Sequence, residues 1–146
     1  ITKLFDIIEP DKSFFGEKDY QQYLVIKELC KKLKCKTVIV KCKTVRDRKG
    51  LALSSRNNYL SEKEREIARK INKSVKKFLP IFRKNLKVGK GTLKLKQDLY
   101  KHGIDSIDYL KIFTEQLTIR KKLNDECRLF IAVKIGNTRL IDNYKI

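Results

Sequence analysis

The sequence predicts an α/β chain in two parts: the last strand–helix–strand piece of a doubly wound parallel sheet, then a smaller α+β part with a short antiparallel sheet. Three observations carry this expectation. A short apolar run, Ser13-Phe14-Phe15, leads into an amphipathic stretch and then into the β-branched Thr37-Val38-Ile39-Val40, the order of a βαβ unit. Clean periodicity then stops over residues 44–58. Beyond that break, two helical patterns give way to short apolar runs separated by Gly136-Asn137, a hairpin-turn signature.

Each element has a local reason. Leu4, Phe5 and Ile8 share one helical face over residues 1–8, and Pro10 stops that helix. Residues 13–15 read as a buried strand of a parallel sheet, with Gly16 making the turn after it. From Asp19 to Leu33, Tyr23, Ile26, Leu29, Cys30 and Leu33 fall on one side of a helix. Residues 37–40 are the next strand. Residues 44–58 are polar, carry Gly50, and read as a long loop at a domain junction, a length that in compact proteins marks a functional or mobile segment. Ser61-Glu62-Lys63-Glu64 is a capping box that opens a helix burying Ile67, Ala68, Ile71, Val75 and Phe78, with Pro80 ending or kinking it. Gly89 and Gly91 mark a turn, residues 93–100 a further helix closed by Gly103, and residues 107–113, 128–133 and 138–141 three strands. The expected domain boundary lies between residues 43 and 44, giving parts 1–43 and 44–146.

Composition narrows the function classes. An apolar content of 41% supports a folded core, and no apolar run approaches the ~20 residues of a membrane span. The N-terminus carries no signal-peptide pattern, and the absence of any Met, including at position 1, leads us to expect a chain that starts inside a longer protein. Cys30, Cys35, Cys42 and Cys127 lack CxxC spacing and His102 is the single histidine, so reduced thiols in a cytoplasm are expected rather than a zinc site or a disulfide framework. The net charge of +19 attracts anions, and a basic nucleic-acid-binding module is the rival reading it raises. The lysines are spread along the chain without an arginine-rich arm or an aromatic-and-basic stripe, which favours a solvated surface.

Two segments carry candidate chemistry. Gly16, Lys18 and Asp19 stand just after a strand and at a helix start, where α/β sheets bind ligands and where free amides face phosphate. Gln22 follows one helical turn later. The second segment offers the hydroxyls of Ser54 and Ser55 and the planar fork of Arg56, a geometry suited to phosphate oxygens. By spacing alone, an ordinary strand-to-helix turn with solvated charges is the better account of the first segment, and a polar linker remains open for the second.

The order of three motifs changes that balance. Phe15-Gly16-Glu17-Lys18-Asp19 with Gln21-Gln22, then Thr44-Val45-Arg46, then Gly50-Leu51-Ala52-Leu53-Ser54-Ser55-Arg56-Asn57 resemble the pantothenate synthetases (pantoate–β-alanine ligases), as does the ending from Gly136 to Asn143. The resemblance spans the whole chain. It implies a Rossmann-like nucleotidyltransferase domain ending near residue 43 and a C-terminal lid domain after it. It implies condensation of pantoate with β-alanine through a pantoyl adenylate, with ATP as substrate, Mg²⁺ as cofactor, a homodimer when full length, and neither nucleic acid nor membrane as partner. It places Gly16, Glu17, Lys18, Asp19, Val45, Leu53, Ser54, Ser55 and Arg56 in the ATP site, with Lys18, Ser54, Ser55 and Arg56 catalytic and Gln22 on pantoate. No residue is assigned to metal. Leu53 stands where the family commonly has methionine, a volume-conserving change. The family's His-x-Gly-His-type motif belongs upstream of this chain, so the chain alone is expected to be inactive.

Overall fold

The computed structural model describes residues 1–83, 88–114, 117 and 127–146, and the chain falls into two units, Ile1–Thr44 and Val45–Ile146. The first is built on a parallel strand pair. β1 (Lys12–Gly16) pairs with β2 (Val38–Cys42) in the register Lys12↔Val38 to Gly16↔Cys42, and the connection between them is α2 (Tyr20–Lys32), entered through a 3-10 turn (Glu17–Asp19). Parallel strands need such a crossover, because a tight turn reverses direction. α1 (Thr2–Ile8) precedes β1. Phe5, Ile26 and Cys30 form the small core of this unit, with Phe15, Cys35 and Ile39 packed against it.

Among the described residues, only one face of that sheet is covered. Strand residues alternate between faces, so Phe15 and Ile39 meet the core while Phe14 and Val38 point to the other side, where they are 66% and 56% exposed. The expectation of a buried strand at residues 13–15 is therefore corrected: β1 has one strand partner, and Phe14 has none of the apolar cover a doubly wound sheet supplies. The expected apolar face of α1 is corrected too, since Phe5 alone is buried and Leu4 and Ile8 are more than half exposed.

The second unit rests on an antiparallel sheet in the order β3 (Ser106–Thr114), β4 (Cys127–Ile135), β5 (Thr138–Lys145). β4 is central, which is why seven of its first residues in a row, Cys127 to Val133, are buried instead of alternating. The β4–β5 hairpin closes at Gly136-Asn137, with Gly136 at φ +55°. Two helices, α3 (Glu62–Arg83) and α4 (Val88–Lys101), supply the rest of the core through Ala68, Ile71, Val75, Phe78, Phe82, Leu95 and Leu99. The capping box at the start of α3 forms as expected: Ser61 Oγ accepts from Glu64 N at 3.3 Å, and Glu64 Oε2 accepts from Ser61 N at 2.8 Å.

Two sequence expectations fail in this unit for identifiable reasons, and a third is narrowed. Of the two outcomes expected at Pro80, an end or a kink, the end is excluded, because α3 runs on to Arg83. Phe78 and Phe82, one turn apart across the proline, are both buried, and their packing outweighs the one backbone bond that proline removes. Gly89 and Gly91 lie inside α4 rather than in a turn. A Cβ on Gly91 would sit 2.6 Å from Cε1 of the fully buried Phe82 ring, so this glycine marks a close helix approach, whereas a Cβ on Gly89 would meet nothing within 4 Å. Residues 44–58 are not a structureless loop. Arg46 and Ala52 form an antiparallel bridge, and a 3-10 turn (Ser55–Tyr59) follows.

The glycine contrast gives a direct check by chemical denaturation. Gly91→Val is expected to lower stability by about 1–3 kcal/mol through overpacking against Phe82. Gly89→Ala is expected to be neutral or to raise stability by up to about 1 kcal/mol through helix propensity. Equal effects at the two positions would contradict this account of Gly91.

Candidate functional site

In the first unit, the turn leaving β1 sits at the carboxyl end of the parallel strands. Gly16 is exposed with φ −68°, a conformation open to any residue, and a Cβ there would meet nothing within 4 Å. Neither backbone strain nor packing within the described residues explains glycine here. What the missing side chain leaves is open space beside the strand end. Glu17 faces back into the unit, its Oε1 accepting from Thr44 N at 3.4 Å, which ties the turn to the residue region just past β2. Lys18 is half-buried. Asp19 is the N-cap of α2, yet its carboxylate makes no capping hydrogen bond. Gln22 lies exposed on the first turn of α2. Lys41, from β2, holds its ammonium 5.5 and 5.8 Å from the ring centroids of Tyr20 and Tyr23, adding a cation at the same sheet end.

In the second unit, the structure brings Val45, Leu53, Ser54, Ser55 and Arg56 together on a small hairpin. Leu53 N donates to Val45 O at 2.9 Å, setting these two apolar residues side by side, 65% and 53% exposed, on the face opposite the bridged Arg46 and Ala52. Ser54 caps the following 3-10 turn, its Oγ accepting from Arg56 N at 3.3 Å. Ser55 and Arg56 are exposed. Arg56 borders a cleft of about 510 Å³ shared with Tyr59, Glu64, Asn137, Thr138 and Arg139.

The hairpin is held from beneath by buried charge, which sequence reasoning did not find. Arg46 forks onto Asp142, its two terminal nitrogens donating to the two carboxylate oxygens at 2.6 and 2.9 Å. Tyr144 Oη donates to Asp142 Oδ2 at 2.6 Å, and the Arg46 guanidinium lies 4.8 Å from the Tyr144 ring centroid. Arg46 also donates to Gly50 O at 3.3 Å. Burial works against the Arg46 charge, but the bonds and field of Asp142 more than offset it and hold its pKa above the ordinary value. Burial, reinforced by the neighbouring carboxylate, pushes the Tyr144 phenol far up, so it stays a donor.

A second pin acts at the hairpin tip. Asp47 Oδ1 accepts from Lys49 N at 2.9 Å and Leu51 N at 2.8 Å, while Oδ2 accepts from Arg69 Nε at 3.0 Å. Burial raises the Asp47 pKa, yet these bonds together leave it below the usual carboxylate range. Gly50 has φ +94°, and a Cβ there would sit 2.1 Å from Asn72 Nδ2, so the tip requires glycine. At the hairpin's end, Asn57 Nδ2 donates to Ala52 O at 3.0 Å and Arg65 donates to Asn57 O at 2.9 Å. The segment expected to be a loose linker is fastened at both ends and at its tip.

Among the described residues no group of three or more His, Cys, Asp or Glu side chains is placed to hold a metal ion. No helix among them is long and apolar enough to cross a membrane.

Open space at the end of parallel strands is what phosphate-handling α/β proteins use. Comparison with known proteins gives the family. The chain belongs to the pantoate-beta-alanine ligase family, whose sequence model matches residues 1–145. It is 37% identical to the pantothenate synthetase of Aquifex aeolicus and 45% identical to that of Buchnera aphidicola subsp. Acyrthosiphon pisum, in each case over 100% of this chain and 52% of the relative. A crystal structure of pantothenate synthetase from Thermus thermophilus superposes with a TM-score of 0.90 at 32% identity, covering 99% of this chain and 52% of that one. The pantoate-beta-alanine ligase of Francisella tularensis, solved in complex with beta-gamma ATP and beta-alanine, gives 0.74 at 36% identity, covering 99% and 47%. The chain thus spans about half the length of the curated relatives it matches.

The buried pair can be tested by denaturation and by structure. Arg46→Ala leaves Asp142 charged and only 9% exposed without its partner, so a loss of about 3 kcal/mol is expected, the low end of the range for breaking a buried pair because Arg46 is itself 21% exposed. Arg46→Lys keeps the charge but not the fork and is expected to fall between the two. A fully stable Arg46→Ala protein would show that the pair does not hold the hairpin.

Proposed function

We propose that this chain is the C-terminal part of an ATP-dependent pantoate–β-alanine ligase and that each of its units contributes one nucleotide-binding stretch. The observation that carries the reading is the family match over residues 1–145, joined to a strand-end turn whose Gly16 no structural need among the described residues accounts for. Residues 1–43 then form the end of a Rossmann-like domain whose remaining strands come from the rest of the protein, and residues 44–146 form the lid domain. The uncovered Phe14 and Val38 face supports this, because a complete doubly wound sheet covers both faces.

The reaction has two steps. The pantoate carboxylate attacks the α-phosphorus of ATP; the bond to the β-phosphate breaks, pyrophosphate leaves, and pantoyl adenylate forms. The β-alanine amine then attacks the acyl carbon and loses a proton, AMP leaves, and pantothenate results. Neither step needs a covalent nucleophile from the protein, so catalysis rests on positioning and on neutralising phosphate charge.

The residues suit those tasks. Gly16 lets the nucleotide approach the backbone. Lys18 contacts phosphate and stabilises charge that develops as pyrophosphate departs. Asp19, with a carboxylate not spent on capping, accepts from the ribose hydroxyls. Glu17 shapes the turn through its bond to Thr44 and so lines the ATP site. Gln22 hydrogen-bonds pantoate. The exposed pair Val45 and Leu53 offers an apolar surface to adenine. Ser54, Ser55 and Arg56 hold phosphate oxygens, Arg56 through its planar fork. Mg²⁺ is the cofactor in this reading, accompanying the phosphates of ATP. A homodimer in the cytoplasm is the state of the whole protein in this reading, and the chain alone is inactive because the remaining ATP and pantoate contacts lie outside it.

In the full-length enzyme, Lys18→Ala is expected to lower kcat by about 10²–10³-fold with a smaller change in KM, the size of effect seen when one transition-state donor is removed. Single-turnover formation of pantoyl adenylate is the measurement. A near-normal adenylation rate would remove Lys18 from the catalytic role.

A further inference from the structure

We propose that Cys30 and Cys35 are a redox-modification site, a thiol pair at the C-terminus of α2 that a peroxide-class oxidant converts into an intramolecular disulfide. The pair is set by the way α2 ends. Lys34 adopts a left-handed conformation at φ +53°, Cys35 N donates to Cys30 O at 2.9 Å, and Lys34 N donates to Lys31 O at 3.3 Å. This is the double-bonded Schellman ending, which brings the third residue from the helix end against the second residue beyond the cap. Apolar residues commonly occupy those two places. Here both are cysteines, packed in the same cluster with Phe5 and Ile26. The backbone hydrogen bond between the two residues and their packing in one cluster put both cysteines at the same helix end, the proximity a bridge requires.

The two thiols are unequal, and that inequality sets the order of events. Cys30 is buried, and burial first, then its neighbour Cys35, raises its pKa, so it remains a protonated thiol. Cys35 is half-buried and lines an open cleft of about 590 Å³ beside Phe5, Glu9 and Pro10, wide enough to admit a peroxide. Cys35 reacts first: its sulfur takes one peroxide oxygen, the O–O bond breaks, and the other oxygen leaves as water, giving a sulfenic acid. The Cys30 sulfur then attacks the Cys35 sulfur, the S–O bond breaks, the S–S bond forms, and a second water carries away the Cys30 proton. Two thiols lose two electrons and two protons, and one hydrogen peroxide becomes two waters. Cys42, at the far end of β2, and Cys127, fully buried in the second unit, are internal controls.

The test uses the whole folded chain exposed to hydrogen peroxide, then alkylated in denaturant and digested with trypsin without reduction. Lys31, Lys32 and Lys34 lie between the two cysteines, so a bridge holds peptides 28–31 and 35–36 together as one species. We expect that linked species in most molecules, its disappearance on reduction, and alkylated Cys42 and Cys127. Cys30→Ser is expected to abolish the link and leave a Cys35 sulfenic acid that dimedone captures. Alkylated Cys30 and Cys35 after oxidation, or links made chiefly through Cys42 or Cys127, would overturn the proposal.

Discussion

The ion pair between Arg46 and Asp142 is the constraint on which the second unit's candidate site depends. It joins residues 96 positions apart, fastening the first strand of the residue 45–53 hairpin to the last strand of the sheet. A buried carboxylate is costly unless its oxygens are fully used, and here both are, by the guanidinium fork and by the Tyr144 hydroxyl. Because the pair lies on the bridged side of the hairpin, Val45 and Leu53 are turned outward, and the Ser54–Arg56 stretch follows from a fixed base. Preorganised donors act without rearrangement at the moment of reaction, which is the use such rigidity would have under the proposed phosphate-binding role.

The same logic distinguishes the glycines. Gly50 and Gly136 stand at positive φ, where a side chain would strain the backbone, and at both positions a Cβ would press on a neighbour. Gly91 is helical and serves the approach of Phe82. Gly16 meets none of these needs, and it alone of the four lies in the stretch assigned to nucleotide. Gly89 shares this lack of a packing need but lies inside α4, whereas Gly16 stands at the end of a parallel strand, where α/β proteins bind ligands.

Much of this was legible in the sequence because it is local. The βαβ order, the capping box at Ser61 and Glu64, the Gly136-Asn137 hairpin and the αL closure at Gly103 each follow from a few adjacent residues. What failed was non-local. No pattern near Pro80 reveals that Phe78 and Phe82 are both buried, and no spacing shows that Gly91 packs on an aromatic ring from another helix. Residues 44–58 looked like a linker because their order comes from partners far along the chain: Asp142, Tyr144, Arg69 and Arg65. The buried strand expected at residues 13–15 failed for a related reason, since burial of Phe14 requires cover that the described residues of the first unit do not supply. The candidate site was legible only through the order of its motifs, because a glycine–lysine–aspartate turn and a serine–serine–arginine turn are each unremarkable alone.

Under the proposed function, nucleotide binding to the full-length protein involves both stretches. Amide hydrogen exchange with and without Mg·ATP measures this most directly. Slowed exchange is expected at residues 16–22 and at residues 53–57 together, with little change in β4, which is already buried. Protection confined to one stretch, or absent from both while ATP is demonstrably bound, would contradict the account.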